Sequence, residues 1–214
     1  MKLRIHLATG NRHKAGEFAD LARLYPVRST AGKAEARQLE IVVPDRLPAV
    51  VEDTGSFAGN ARKKARALKD TLPADAWVLA DDSGVEVAAL GGAPGVESAY
   101  YAGPQADAAA NLRKLVEVMR EIPAGKRQAS FRCVLVLLGP GGVDQLFEGR
   151  CDGALAVEPS GRHGFGYDPL FMPTGLACTY AELGEAEKNR ISHRALAWVG
   201  LVAWLGRHFP ARIG

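Results

Sequence analysis

The pattern of apolar and polar positions divides the chain into short strands and amphipathic helices. Apolar runs predict strands at residues 3–8, 77–80, 85–90 and 129–138, and a strand pair within 149–159. Apolar residues at helical spacing predict helices from about residue 12, over 56–72 and 107–122, and from about 192. Strands alternate with helices but hairpins intervene, so we expect an α/β fold with a mixed sheet.

The stretch VLADDSGVEVAAL, residues 78–90, predicts a hairpin whose turn holds Asp81, Asp82, Ser83 and Gly84. A doubled acid does not help a chain to turn, because the two charges repel. A cation would hold both acids ionised, and hard carboxylate oxygens suit Mg²⁺. Glu52 is a candidate third carboxylate. The alternative is a solvated acidic turn.

Cations crowd the starts of two predicted helices, where the partial positive charge of the helix disfavours them. Arg12, His13 and Lys14 begin the first helix, and His193 and Arg194 begin the last. Either water solvates these side chains or an anion such as a phosphate offsets their repulsion.

Lys64 adds a further cation, at the edge of the buried stripe of the helix predicted over residues 56–72. A lysine whose stem is buried and whose charge reaches solvent is the alternative interpretation. Polyphosphate-facing cations and Mg²⁺-binding acids together favour a nucleoside triphosphate.

The loop GFGYDPLF, residues 164–171, has the composition of a base-binding segment. Glycines flank Phe165 and would let its ring lie flat against a ligand, and Asp168 could hydrogen-bond a base. The alternative is that Phe165 and Tyr167 are ordinary core residues.

Length, composition and missing motifs restrict the other possibilities. The chain has 214 residues, a net charge of +3 and three cysteines without CxxC spacing, which predicts buried free thiols in a reducing cytoplasm. It lacks a P-loop, a dinucleotide fingerprint, a histidine metal motif and a serine nucleophile elbow. The apolar segment 195–205 is too short to span a bilayer, so we expect no membrane association.

Four blocks of the sequence resemble the signature blocks of the inosine/xanthosine triphosphate pyrophosphatases. They are TGNRHK, ADDSGVEVAALGGAPGVESAYYAG, GFGYDPLF and AELGEAEKNRISHRALA, and they occur in the order found in that family. The resemblance implies an elongated, ITPase-like α/β fold, with a mixed central β-sheet flanked by helices and two lobes around an active-site cleft. Residues 1–214 would form a single domain.

The resemblance also implies an activity. These enzymes hydrolyse the non-standard purine nucleoside triphosphates ITP, dITP and XTP to the monophosphate and pyrophosphate, which removes them from the nucleotide pool. It further implies Mg²⁺ dependence and a homodimer in the cytoplasm that binds a small nucleotide and no nucleic acid.

Residues that match the motifs of this family acquire implied roles. Asp82 is implied as general base and metal ligand, Glu52 as a second metal ligand, and Asp81 as support for the pair. The implied triphosphate contacts are Thr9, Gly10, Asn11, Arg12, His13, Lys14, Lys64, Ser83 and Lys188. The implied base pocket consists of Phe165, Gly166, Tyr167, Asp168, His193 and Arg194.

Two positions depart from the family pattern. Tyr100 stands where the family often has arginine, and Gly59 stands where it has glutamate before an asparagine. The first departure puts the contact made by that arginine in doubt, and the second removes a helix-capping partner.

Two rival functions stay open at this point. One is a sibling activity on modified pyrimidine or standard triphosphates, and the other is a nucleic-acid-binding module that uses the basic segments ARKKAR and GKRQ. A steep salt dependence of nucleic-acid affinity would mark the second.

Overall fold

The computed structural model describes residues 2–28 and 36–208. The strands are β1 (Leu3–Leu7), β2 (Val27–Arg28), β3 (Ala36–Arg37), β4 (Leu39–Val42), β5 (Trp77–Val87), β6 (Gln128–Leu138), β7 (Asp144–Leu155) and β8 (Phe171–Pro173). The α-helices are α1 (Arg12–Leu24), α2 (Phe57–Lys69), α3 (Ala108–Val118), α4 (Glu185–Ile191) and α5 (His193–His208).

The predicted helices are confirmed, and polar side chains cap the first turns of α1, α2 and α3. Asn11, Ser56 and Asp107 accept hydrogen bonds from the free N–H groups at the starts of α1, α2 and α3. Helix α3 ends at Val118, short of its predicted end at residue 122, and α4 was not predicted. The short α4 stops at Ser192, whose extended backbone separates it from α5.

Six strands form one mixed sheet in the order β4-β1-β5-β6-β7-β8, and β2 pairs with β3 in a separate two-stranded sheet. Strand β1 is parallel to both β4 and β5, whereas β7 and β8 are antiparallel. The prediction of an α/β fold with a mixed sheet is therefore confirmed.

The chain divides into two compact units. The described part of the first unit comprises residues 2–28, 36–82, 134–148 and 195–208, and the second comprises residues 83–133 and 149–194. In the first unit, Ala61, Ala65 and Leu68 of α2 pack with apolar residues of β5 and β6. In the second, Leu115 of α3 and Phe131 of β6 belong to another buried cluster. Strand β5 passes from the first unit into the second between residues 82 and 83.

The hairpin predicted at residues 81–84 is wrong, because β5 runs without interruption from Trp77 to Val87. Gly84 is required there for close packing: a Cβ atom on it would lie 2.3 Å from the carbonyl oxygen of Gly95 and 2.4 Å from Ser98 Oγ. Its position after two acids and a serine imitates a turn signal. The strand pair predicted within 149–159 is also wrong, since β7 is one strand that ends at Leu155.

Among the described residues, none of the helices is both long enough and apolar enough to cross a membrane. The prediction of buried thiols is right for Cys133 and wrong for Cys151 and Cys178, which are partly exposed.

Candidate active site

The first unit gathers charged residues at one edge of its sheet. Strands β4, β1 and β5 are parallel, so their carboxyl ends lie at the same edge. The segment after β4 contains Glu52, the segment after β1 leads to Lys14 in the first turn of α1, and β5 continues past Leu79 to Asp81 and Asp82. The parallel pairing thus explains how residues far apart in sequence meet.

Two lysines neutralise part of the charge of three carboxylates here. Lys14 Nζ lies 2.9 Å from Asp81 Oδ2. Lys64 Nζ lies 2.7 Å from Glu52 Oε2 and 3.1 Å from Asp82 Oδ1. These five residues are called the acidic cluster below. Consecutive strand residues point to opposite faces, which accounts for the different partners of Asp81 and Asp82.

Burial and neighbouring charges together determine the pKa values of Asp82 and Lys64. The Asp82 side chain is 8% exposed. Desolvation outweighs the attraction of Lys64 and Lys14 and raises the pKa of Asp82 to about 6. Burial also disfavours the Lys64 ammonium, but the carboxylates of Asp82, Asp81 and Glu52 more than offset it and raise the pKa of Lys64. At neutral pH Asp82 is therefore a carboxylate with an affinity for protons well above that of an ordinary aspartate.

Asn60, which the sequence analysis missed, orients the Asp82 carboxylate. Its Nδ2 donates to Asp82 Oδ2 over 3.1 Å, and its Oδ1 accepts from Thr54 Oγ1 at 2.7 Å. Thr54 occupies the space that Gly59 leaves, since a Cβ atom on Gly59 would lie 2.2 Å from Thr54 Oγ1. The glycine that departs from the family pattern therefore makes room for a threonine that fixes Asn60. The sequence shows only that an asparagine stands among the apolar residues of α2, and the contact with Asp82 that defines its role is created by the fold.

The loop predicted to bind phosphates follows β1. Thr9 is buried and its Oγ1 accepts from the N–H of Asn11 over 3.2 Å. Asn11 Oδ1 caps the N–H groups of His13 and Lys14. Gly10, Asn11, Arg12 and His13 are exposed. Lys14, in the first turn of α1, belongs to the acidic cluster through its salt bridge with Asp81.

In the second unit, the loop predicted to bind a base is shaped by glycines and an aspartate. Gly164 and Gly166 adopt φ angles of 73° and 62°, which disfavour other residues. Asp168 Oδ2 accepts from the Phe165 N–H over 2.8 Å, and a Cβ atom on Gly164 would lie 2.1 Å from that oxygen. Phe165 is thereby held at the centre of a tight turn.

Cations and aromatic rings surround this turn. Lys188 Nζ, from α4, lies 2.6 Å from Asp168 Oδ2, and both side chains are buried. The same ammonium lies 5.1 Å from the Phe165 ring centre and 5.7 Å from that of Tyr180, and Arg194 Cζ lies 5.9 Å from the Phe165 ring. These five residues are called the aromatic cluster below. Lys188, predicted to contact the triphosphate, belongs to this cluster.

Arg194 connects the start of α5 to β5. Its Nη2 donates to Ser83 Oγ over 3.0 Å, and the arginine side chain is almost fully buried. Ser98, missed in the sequence, holds the neighbouring part of the strand: its Oγ accepts from the Val85 N–H over 3.0 Å. Tyr167 Oη donates to the carbonyl of Ser98 over 2.8 Å, so Ser98 links the strand to the loop. Burial raises the pKa of Tyr167, which keeps its phenol a donor.

His193 is buried against Phe131 of β6. The two rings stack with their centres 4.6 Å apart and an angle of 8° between their planes. Phe131 also contacts Phe171 and Tyr180 through their rings. Phe131 stands between Ser130 and Arg132 in β6, and nothing in the local sequence distinguishes a platform for histidine from an ordinary core residue.

The structure therefore divides these predicted site residues into two groups, one in each unit. In the first unit Lys14, Glu52, Lys64, Asp81 and Asp82 converge. In the second Ser83, Phe165, Asp168, Lys188 and Arg194 are joined by hydrogen bonds, a salt bridge and ring contacts. Tyr100, the other departure, is 44% exposed.

The donor set of the acidic cluster fits a hard divalent cation. In the part of the chain that the structure describes, no three histidine, cysteine, aspartate or glutamate side chains are grouped as a ready metal site. Glu52 and Asp82 nevertheless both reach one ammonium nitrogen, so two carboxylates from separate segments can share a cation. Oxygen ligands of this type suit Mg²⁺.

Comparison with known proteins places this site in context. The chain matches the Ham1 family over residues 5–204. A protein of Opitutus terrae named dITP/XTP pyrophosphatase is 55% identical over 205 residues, covering 94% of this chain and 98% of that protein. A HAM1 protein structure from Coxiella burnetii superposes with a TM-score of 0.77 at 35% identity, covering 95% of this chain and 98% of the other. The Staphylococcus aureus Ham1 protein gives a TM-score of 0.76 at 33% identity, covering 94% and 97%. This chain therefore belongs to the Ham1 family.

Proposed function

We propose that this protein is a nucleoside triphosphate pyrophosphatase that hydrolyses ITP, dITP and XTP to the monophosphate and pyrophosphate. The observation that carries the proposal is the acidic cluster, which lies at the edge where three parallel strands end. There the carboxylates of Glu52 and Asp82 both contact the ammonium group of Lys64. The names of relatives such as the Opitutus terrae protein support the same activity. Hydrolysis would remove non-standard purine nucleotides from the nucleotide pool.

Asp82 is the general base in this proposal. It accepts a proton from a water molecule, whose oxygen attacks the α-phosphorus. The bond from that phosphorus to the oxygen bridging to the β-phosphorus breaks, and pyrophosphate leaves with the electron pair. Burial raises the pKa of Asp82 in the metal-free protein to about 6, so the carboxylate is ionised at neutral pH, as a general base must be. Asn60 holds the carboxylate in one orientation.

Glu52 and Asp82 would hold Mg²⁺, with Asp81 adding negative charge nearby. When bound, Mg²⁺ stabilises negative charge on the phosphate oxygens. Lys14 and Lys64 would contact the triphosphate together with Ser83, Lys188 and the loop of residues 9–13. Lysine ammonium groups suit this role as mobile point charges.

The aromatic cluster would recognise the purine base. Phe165 offers a ring for stacking, and Tyr167, Asp168 and His193 complete the pocket with Gly166. Arg194 has only donors, so it can pair with the six-keto oxygen of hypoxanthine or xanthine but opposes the six-amino group of adenine. This contact does not exclude guanine, whose rejection needs another part of the pocket.

We also propose a cytoplasmic homodimer that binds a free nucleotide rather than nucleic acid. The dimer rests on the family resemblance, and sedimentation equilibrium of the purified protein tests it. The paired acids argue against a surface that follows a nucleic-acid backbone, because they would repel its phosphates.

Product analysis tests the proposed function. The purified protein is incubated with ITP, GTP or ATP, with Mg²⁺ or with EDTA, and phosphorus NMR follows the products. We expect IMP and pyrophosphate from ITP, much slower turnover of GTP and ATP, and no turnover with EDTA. Preference for GTP or ATP would replace the proposal with a sibling activity on standard triphosphates, and absence of turnover of all three nucleotides would refute the proposed function.

A further inference from the structure

The position of Lys64 has a consequence for metal binding. Its side chain is 15% exposed, and its ammonium is within hydrogen-bond distance of both carboxylates proposed to bind Mg²⁺. Lys63, its neighbour on α2, instead pairs with the exposed Asp53. The two lysines are therefore adjacent in sequence but differ in whether they occupy the acidic cluster.

Lys64 supplies the positive charge that a metal ion would supply. Asp82 is buried, and an uncompensated buried carboxylate is costly. The Lys64 ammonium offsets that cost, because its nitrogen contacts the carboxylates of both Glu52 and Asp82. A divalent ion that used these oxygens would face a positive charge a few ångströms away, and such like charges repel strongly in a partly buried environment.

We propose that Lys64 is an internal counter-ion that competes with Mg²⁺ for Glu52 and Asp82. This inference rests on the proposed function, and it adds an order to it. Mg²⁺ binds weakly to the nucleotide-free protein, because Lys64 must first leave the carboxylates. A nucleotide triphosphate gives the ammonium another anionic partner, so the long lysine side chain moves to a phosphate and Mg²⁺ takes its place. Lys64 thereby makes tight metal binding depend on the nucleotide.

The geometry separates this role from that of the other lysine in the cluster. Lys14 contacts Asp81, whereas Lys64 bridges the two proposed metal ligands. The replacement of an ammonium group by Mg²⁺ at Glu52 and Asp82 therefore involves Lys64 and not Lys14. Removing the charge of Lys63, which lies outside the cluster, should not strengthen Mg²⁺ binding.

Titration of the nucleotide-free protein with MgCl₂ tests the inference without using activity. Isothermal titration calorimetry at pH 8.5, where Asp82 is ionised in the wild type, compares the wild type with Lys64→Met, Lys64→Gln, Lys64→Arg and Lys63→Met. The neutral Lys64 variants should bind Mg²⁺ roughly 10-fold or more tightly than the wild type, because the competing charge is gone. Lys64→Arg and Lys63→Met should stay within about two-fold, since they keep the charge or lie outside the cluster.

Thermal unfolding with and without Mg²⁺ covers variants that fold poorly. If Lys64→Met or Lys64→Gln is unfolded in EDTA and folds when Mg²⁺ is added, the metal has replaced the missing cation and the inference holds. If Mg²⁺ does not restore folding, or if the neutral variants bind Mg²⁺ no more tightly than the wild type, the inference is wrong. Either result is independent of whether ITP is the substrate, which product analysis decides.

Discussion

The two charged clusters differ in their balance of acids and cations. In the acidic cluster three carboxylates face two ammonium groups, so negative charge is in excess. In the aromatic cluster the single carboxylate of Asp168 meets Lys188, and Arg194 adds a further cation beside the Phe165 ring. An excess of hard carboxylate oxygens favours a divalent cation, whereas an excess of donors beside aromatic rings favours a flat ligand with acceptor oxygens.

The difference matches the roles that the proposed function gives to the two clusters. The acidic cluster would provide a base of raised proton affinity and a place for a metal ion, which hydrolysis at phosphorus needs. The aromatic cluster would provide a stacking surface and directional donors, which base selection needs. Variants of Asp82 should therefore change turnover for every nucleotide, and variants of Phe165 or Arg194 should change the preference among nucleotides.

Asp82→Asn gives the largest expected effect. The substitution keeps the shape of the side chain but removes the base, so kcat for ITP should fall by about 10²–10⁴-fold. Because the base pocket is untouched, the ratio of kcat/KM for ITP and ATP should change little. Steady-state kinetics with Asp53→Asn, an exposed carboxylate outside the cluster, as the control measures both quantities. Turnover within a few-fold of the wild type would mean that Asp82 is not the base.

Stability should depend on pH through Asp82. Its pKa is about 6 in the folded protein against 3.8 for an ordinary aspartate, so the folded state holds this proton more tightly than the unfolded state. Ionisation therefore destabilises the fold, and the contribution of Asp82 falls as pH rises from about 4 to about 6, by about 3 kcal/mol at most. Above pH 6 the contribution should be constant.

Urea unfolding in EDTA measures this contribution as the wild type minus Asp82→Asn, since asparagine does not titrate. The unfolding free energy of the wild type relative to the variant should decrease across that pH interval. A difference that stays constant, or increases with pH, would show that desolvation does not dominate at Asp82.

Arg194→Ala should alter selectivity rather than hydrolysis. The loss of a donor to the six-keto oxygen should lower the ratio of kcat/KM for ITP to that for ATP by roughly 5- to 150-fold, equivalent to about 1–3 kcal/mol. Arg190→Ala is the matched control, because Arg190 is exposed and pairs with Glu187. Equal losses with ITP and ATP would assign Arg194 to the phosphates instead of the base.

Ser98→Ala should give the smallest effect. It leaves the buried N–H of Val85 without its acceptor, which costs about 1–3 kcal/mol of unfolding free energy. We expect KM for ITP to rise a few-fold with kcat little changed, because Ser98 links β5 to the loop that carries Phe165. Ser160→Ala is the control: it removes an exposed hydroxyl that donates to Glu182, and it should leave KM and kcat for ITP unchanged. A loss of kcat at constant KM would place Ser98 with the hydrolytic residues.

The sequence predicted elements whose signals are local. Helices α1, α2 and α3 follow from apolar spacing, and the structure shows the caps that begin them at Asn11, Ser56 and Asp107. Strand β6 follows from a long apolar run. The prediction for β5 was wrong, because the local sequence of two acids, a serine and a glycine inside this buried strand is the same as that of a turn. What keeps them in the strand is distant in sequence: Lys14, Lys64 and Ser98.

The candidate site residues that the sequence could indicate are those whose side chains are charged or aromatic. Acids, lysines and the glycine-flanked Phe165 were identifiable from the sequence and the family resemblance. Asn60, Ser98 and Phe131 were not, because they act by orienting other residues through contacts that only the fold creates. Their roles depend on partners 22, 13 and 62 positions away, respectively.

Hydrolysis of ITP in water enriched in ¹⁸O tests whether water attacks the α-phosphorus, as the proposed mechanism requires. A single turnover with Mg²⁺ is quenched, and mass spectrometry locates the label in the two products. We expect one ¹⁸O atom in IMP and none in the pyrophosphate. Label in the pyrophosphate, or release of orthophosphate, would mean that water attacks a different phosphorus and would contradict the mechanism.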